Sequence, residues 1–148
     1  MKQLSEEMIY SKQILVTGAA GRMGRNLVRS LSQAGHRVRA FDLPTVDFAP
    51  LQALPGVELA KGDITQRQGL PGAVEGVDVV VHLAALLPPA SEQDRQLTIK
   101  VNLEGTRNVV WAMERTAPRA HLILSSSVST YGDTTRDEPP ISCDHPQA

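Results

Sequence analysis

The run Gln13-Ile-Leu-Val-Thr17 is apolar at each interior position and stops at once in Gly18-Ala-Ala-Gly21. A strand with one solvated face would alternate polar and apolar residues. This one does not, so both of its faces are expected to be buried, as in a parallel sheet covered by helices on each side. The period then changes: Met23, Leu27, Leu31 and Ala34 recur at helical spacing from Arg22 onward, and Gly35 is a suitable stop. The same handover repeats along the chain. Strands are expected from Arg37 to Phe41, ending at Asp42, and from Val57 to Lys61, Val77 to Leu83 and His121 to Ser125. Between them lie a short helix within Val46 to Leu54 and another from about Thr65 to Glu75, interrupted by Gly69, Pro71 and Gly72. A long helix is expected from about Asp94 to Thr116, with Leu97, Val101, Val109 and Met113 on one stripe. Each parallel pair needs a crossover, so the fold class is α/β with a doubly wound parallel sheet, and right-handed crossovers give strand order 3-2-1-4-5.

A chain of 148 residues holds one such domain. Residues 1–12 mix charge and polarity and are expected to form an amino-terminal arm, and 13–148 form the domain. The tail from Tyr131 to Ala148, rich in Pro and charge, shows no element. Fifteen Lys and Arg against sixteen Asp and Glu leave a formal net charge of −1, which offers no basic field for nucleic acid or an anionic membrane. Cys143 is the single cysteine, so no internal disulfide and no four-ligand zinc pattern arises, and no metal centre is expected. The longest apolar stretch, Val79 to Ala90, contains His82 and Pro88 and is too short to span a bilayer. Glu6 and Glu7 near the start, without an extended apolar segment, argue against secretion and for a cytoplasmic protein.

In doubly wound sheets, ligands bind beyond the carboxyl ends of the strands where the strand order reverses. Here that edge includes Thr17-Gly-Ala-Ala-Gly-Arg-Met-Gly24, a strand-to-helix turn of the kind that cradles a dinucleotide. Gly18 supplies the tight turn, Gly21 lacks the Cβ that would hold a pyrophosphate away, and Gly24 lets the helix approach the strand. The amides that open the helix at Arg22 and Met23 then face the phosphates with the helix dipole behind them. The spacing G-x-x-G-x-x-G departs from the commoner G-x-G-x-x-G. Asp42 lies 18 residues after Gly24 at the end of the second strand, where a carboxylate accepts from an adenosine ribose and repels a 2′-phosphate. NAD is therefore expected in preference to NADP. Arg22 and Arg39 pull the other way, since a guanidinium in reach would welcome that phosphate.

With these residues in place, the sequence resembles the extended short-chain dehydrogenase/reductase family, of the NAD-dependent epimerase/dehydratase type, over Gln13 to about Tyr131. The T-G-x-x-G-x-x-G at Thr17 to Gly24 is that family's form of the turn. Gly62-Asp63-Ile64 resembles its adenine-contacting segment, with Asp63 placed to accept from the exocyclic amine. Val81-His-Leu-Ala-Ala85 resembles the segment lining the inner ribose and diphosphate, which assigns Leu83, Ala84 and Ala85 to the cofactor. His82 is read there as a hydrogen-bonded core histidine and not as a catalyst. Val101-Asn-Leu-Glu-Gly-Thr106 resembles the fourth-helix motif, placing Asn102 near the cofactor, where it could also bridge backbone groups. Leu124-Ser-Ser-Ser-Val-Ser-Thr-Tyr-Gly132 resembles the fifth-strand motif. By that resemblance Ser125 touches the cofactor and Ser127 binds the reacting substrate oxygen, a role that a slip of one residue would hand to Ser126. The resemblance implies a Rossmann-like fold, an NAD-dependent oxidoreductase acting on a nucleotide sugar or related sugar or hydroxy compound, and a homodimer in the full-length protein.

The family moves the hydroxyl proton with a tyrosine made acidic by a lysine four residues later. Tyr10 is followed at that spacing by Ile14 and Tyr131 by Thr135, so neither forms Y-x-x-x-K. The expectation is that the base lies beyond Ala148, together with the carboxyl-terminal part of the fold, and that residues 1–148 alone are inactive. The alternative from another class is a non-catalytic, dinucleotide-sensing regulatory protein of the same fold.

Overall fold

The computed structural model describes residues 11–127; the readings of the arm before residue 11, of Tyr131, of Cys143 and of the tail fall outside the described residues. The strands are β1 (Gln13–Thr17), β2 (Arg37–Asp42), β3 (Val57–Lys61), β4 (Val79–His82) and β5 (His121–Leu124). The helices are α1 (Arg22–Gln33), α2 (Ala49–Gln52), α3 (Leu70–Val74), α4 (Ala90–Gln93), α5 (Arg95–Thr98) and α6 (Thr106–Thr116), with a π-helix over Ile99–Gly105 joining the last two. The sheet is parallel throughout and runs β3-β2-β1-β4-β5, the order expected from the crossovers.

Period-two alternation splits the strands between two cores, which is why the runs are apolar at successive positions. Leu15 and Val80 point to the side where Phe41, Ile64, Leu70, Val74, Val109 and Met113 gather under α3 and α6. Ile14, Val16, Val38 and Val81 point to the other, with Val28 of α1, Phe48 and Leu51. Leu15, Val16, Val38 and Val80 are wholly buried. Fully burying one such side chain is worth about 1.5–3 kcal/mol before chain entropy is subtracted. The central strands are therefore where the stability of the sheet is concentrated.

The helices depart from the expected periodicities in three places. Met23 is 66% exposed, and the buried face of α1 runs through Gly24, Val28 and Ser32. Gly24 packs directly on the preceding turn, which sets the helix phase and turns the neighbouring Met23 to solvent. The helical segment after Asp94 does begin there, because Asp94 Oδ1 caps it by accepting from the Leu97 amide at 2.9 Å. Its seven-residue π stretch then widens the turn and changes the phase, so Val109 and Met113 are buried while Leu97 is 43% exposed. The helix expected from Thr65 to Glu75 is confined to Leu70–Val74. Gly69 at its start takes a left-handed φ of 89°, which ends regular helix on the amino-terminal side.

Candidate functional site

The strand registers bring the predicted positions to one edge. Thr17 pairs with Phe41 on one side and His82 on the other, Asp42 pairs with Lys61, and His82 with Leu124. The segments after Thr17, Asp42, Lys61, His82 and Leu124 therefore leave the sheet at the same level. The order reverses between β2-β1 and β1-β4, so the crevice opens over β1.

Over β1, backbone meets backbone. Gly18 has φ 68°, and a Cβ there would lie 2.8 Å from the Ala84 nitrogen and 2.9 Å from the Leu83 carbonyl carbon. A Cβ on Gly24 would strike the Gly18 carbonyl oxygen and sit 2.7 Å from the Ala19 Cα. Gly21 differs: its nearest neighbour would be the Gly18 oxygen at 3.2 Å, and the residue is exposed. Gly18 and Gly24 thus satisfy contacts within the protein, and Gly21 leaves room for an outside group. Gly21 is the N-cap of α1, and no side chain caps the amides that follow at Arg22, Met23 and Gly24. Unpaired helix-opening amides with no acidic residue in the first turn favour an anion. These are the features a pyrophosphate requires.

Asp42 braces this turn. Its Oδ2 accepts from the Ala20 amide at 2.8 Å, and its Oδ1 accepts from the Leu43 amide at 2.8 Å. Each carboxylate oxygen keeps a lone pair for a hydroxyl. The Gly62 amide donates to the Asp42 carbonyl at 2.9 Å, and a Cβ on Gly62 would fall 2.5 Å from the Phe41 ring, so glycine lets β3 leave beside Asp42. Asp63 Oδ1 accepts from the Thr65 amide at 2.8 Å. The Ile64 side chain is buried against Gly105, which leaves its backbone as the part able to meet a ligand.

Arg39 does not stand at this edge, contrary to the alternative entertained from sequence. Its Nε pairs with Glu58 at 3.0 Å, and one terminal nitrogen donates to the carbonyls of Gly72, Ala73 and Glu75. Alternation along β2 directs it to the carboxyl end of α3, where it satisfies helix-end carbonyls. Arg22 is exposed at the first position of α1.

Across the crevice, Leu83 and Ala84 are half-buried and Ala85 is exposed. Asn102 binds one residue with both ends of its amide, accepting from the Leu86 amide at 2.7 Å and donating to the Leu86 carbonyl at 3.0 Å. It holds the β4 exit loop against the π-helix. Ser125 and Ser127 are exposed beyond β5, with the Ser125 amide donating to the His82 carbonyl at 3.4 Å. His82 is 3% exposed between two threonines: Nδ1 lies 2.7 Å from Thr17 Oγ1 and Nε2 lies 3.0 Å from Thr106 Oγ1. It is a hydrogen-bonded core histidine. Its partners Thr17 and Thr106 stand at the ends of two motifs quoted from sequence, but neither was given a role there; the signal for Thr17 was a threonine closing an otherwise apolar buried strand.

Burial holds the His82 pKa below the ordinary imidazole value. The unfolded chain then binds this proton at a higher pH than the folded one, so stability falls as pH drops below the unfolded value of 6.5. Denaturant midpoints taken from about pH 7.5 to about pH 5.5 are expected to decline more steeply for the parent than for a His82→Gln variant. Parallel slopes would show that the folded and unfolded chains bind this proton alike.

Known proteins resemble this chain in sequence and in fold. A family model described as the NAD dependent epimerase/dehydratase family matches residues 14–147. A 3-beta-hydroxysteroid dehydrogenase of Mycolicibacterium neoaurum is 36% identical over 126 residues, 81% of this chain and 33% of that protein. Sterol demethylase protein B of Methylococcus capsulatus is 40% identical over 118 residues, 80% of this chain and 35% of that protein. Among solved structures, a short-chain dehydrogenase/reductase superfamily protein of Agrobacterium tumefaciens with bound NAD superposes with TM-score 0.74 at 35% identity, covering 92% of this chain and 39% of that one. A UDP-glucose-4-epimerase of Stenotrophomonas maltophila with NAD and formylated UDP-arabinopyranose gives TM-score 0.82 at 26% identity, covering 93% and 43%. The chain spans about a third of the length of the curated relatives it matches.

Proposed function

The chain belongs to the NAD-dependent epimerase/dehydratase family, and from that premise we propose that it carries the coenzyme-binding part of an oxidoreductase acting on a secondary alcohol of a sugar, nucleotide sugar or related hydroxy compound. One observation carries the reading: uncapped amides at the start of α1 and the Asp42 carboxylate meet at the same edge of the sheet. Arg22, Met23 and Gly24 would hold the diphosphate, Asp42 the adenosine ribose, Asp63 and the Ile64 backbone the adenine. Leu83, Ala84, Ala85 and Ser125 would flank the inner ribose, with Asn102 keeping that loop in place. NAD, when bound, supplies a carbon that accepts and returns a hydride. Ser127 would donate a hydrogen bond to the reacting substrate oxygen. The acidity needed to move that oxygen's proton is not provided by a Y-x-x-x-K pair within residues 1–148, so the chain alone binds coenzyme without turnover.

A hydroxysteroid substrate is the second reading, favoured by the name of the 3-beta-hydroxysteroid dehydrogenase at 36% identity. Calorimetric titration of the chain is expected to register NAD and, more weakly, NADP; heat from neither overturns the reading. In a protein that joins this chain to the remaining length of its relatives, NADH absorbance with UDP-sugars, uronates and a 3β-hydroxysteroid separates the substrate classes. Ser127→Ala there is expected to lower kcat at least tenfold with NAD affinity unchanged. An unchanged kcat removes Ser127 from the site. Absence of turnover with every alcohol tested favours the dinucleotide-sensing alternative.

A further inference from the structure

Counting hydrogens around His82 assigns more than burial. Thr17 Oγ1 receives two amides, from Leu83 at 3.2 Å and from Ala84 at 3.3 Å. The Leu83 amide shares its one hydrogen with the Thr17 carbonyl, also at 3.2 Å, and the Thr17 hydroxyl directs its own hydrogen to His82 Nδ1 at 2.7 Å. Nδ1 is then an acceptor, and a neutral imidazole carries its hydrogen on Nε2. That hydrogen donates to Thr106 Oγ1 at 3.0 Å, and the Thr106 hydroxyl donates to the Asn102 carbonyl at 2.7 Å. Every donor in the series has an acceptor. With the opposite tautomer, Nδ1–H would compete with two amides for the Thr17 oxygen, and Nε2 would compete with the Asn102 carbonyl for the Thr106 hydrogen. The Thr17 hydrogen would then be stranded in a site that is wholly buried.

We propose that His82, in its Nε2–H form, is a positioning residue for the coenzyme: the one-way series Thr17 to His82 to Thr106 locks the glycine turn, the β4 exit and the π-helix into one unit. The three hydroxyl and ring partners come from three elements: the end of β1, the end of β4 and the first turn of α6. Thr17 precedes Gly18, the residue whose missing side chain lets Ala84 approach. The same hydroxyl that fixes the imidazole also holds the Leu83 and Ala84 amides, so the wall of the crevice and its floor share one atom. On the far side, Thr106 and Asn102 lie one helical turn apart, and Asn102 carries the connection on to Leu86. The spacing between turn and exit loop is therefore tied to a ring that is itself buried. This assignment rests on the coenzyme site proposed above for its consequence, and on hydrogen-bond counting for its chemistry.

The test separates the two. Long-range 1H–15N spectra of the chain without coenzyme, with the His82 signals identified by their loss in His82→Gln, are expected to show the neutral Nε2–H tautomer alone at neutral pH. An Nδ1–H tautomer, a mixture or an imidazolium overturns the series, whatever the chain binds. NAD affinity is then compared among Thr106→Val, Thr106→Ser and the parent. Valine is expected to raise Kd about tenfold and serine to restore it, since only serine keeps the acceptor for Nε2–H. Equal affinities for valine and serine overturn the positioning role. If the parent itself fails to bind NAD, the coenzyme reading and with it the positioning role fall, and the tautomer result stands by itself. The spectra of the parent settle the hydrogen assignment even where Thr106→Val does not fold.

Discussion

Gly24→Ala is expected to lower the melting temperature by roughly 10 °C and to abolish coenzyme binding, although it adds a single methyl group. The added Cβ would collide with the Gly18 carbonyl and lie 2.7 and 2.8 Å from the Ala19 Cα and carbonyl carbon. These are backbone atoms, so no side chain can swing aside, and overpacking of this kind costs about 1–3 kcal/mol or more. Relief requires α1 to move off the turn. That displaces the amides at Arg22 and Met23 from the place where an anion would meet them. Gly72→Ala is the control. Gly72 lies within α3 with nothing within 4 Å of its would-be Cβ and no left-handed φ, so alanine there is expected to be neutral or to stabilise by about 0.5 kcal/mol. Differential scanning calorimetry on both variants checks the pair. Similar melting temperatures for Gly24→Ala and the parent would show that the turn yields to the added methyl group.

Asp42→Ala is expected to weaken NAD at least tenfold and to erase the preference over NADP. Two effects add. The carboxylate accepts from the Ala20 and Leu43 amides, and deleting it strands both; each such loss costs about 1–3 kcal/mol where water cannot replace the partner. Its remaining lone pairs face the position proposed for the ribose, so the hydroxyl contacts and the repulsion of a 2′-phosphate disappear together. Because Arg39 is engaged by Glu58 and three carbonyls, it does not compensate. Adding an arginine at Leu43 to Asp42→Ala is expected to reverse the preference toward NADP, measured by titrating both coenzymes. A double variant that still prefers NAD by the parent's margin would remove Asp42 from coenzyme choice and leave it as a brace of the turn.

Local chemistry by itself determined the sheet, its order and the edge that matters. The apolar runs of β1 and β4 sit between two covered faces, although the equally apolar β5 at the sheet edge is exposed; parallel strands can join only through crossovers, and Gly18 and Gly24 are needed where β1 turns sharply into α1. Neighbouring residues carry those rules, so they survive in a linear reading. The phase of the helix from Arg95 to Thr116 did not, because a periodicity of 3.6 assumes one hydrogen-bond pattern, and the π stretch at Ile99–Gly105 changes it midway. Nor could the commitment of Arg39 to the α3 carbonyls be read in advance. Least visible was the Thr17–His82–Thr106 series, whose members stand 65 and 24 residues apart and meet only when β1, β4 and α6 close on one another. Hydrogen-bond direction depends on which lone pairs are already taken, and that is settled by the packed tertiary structure.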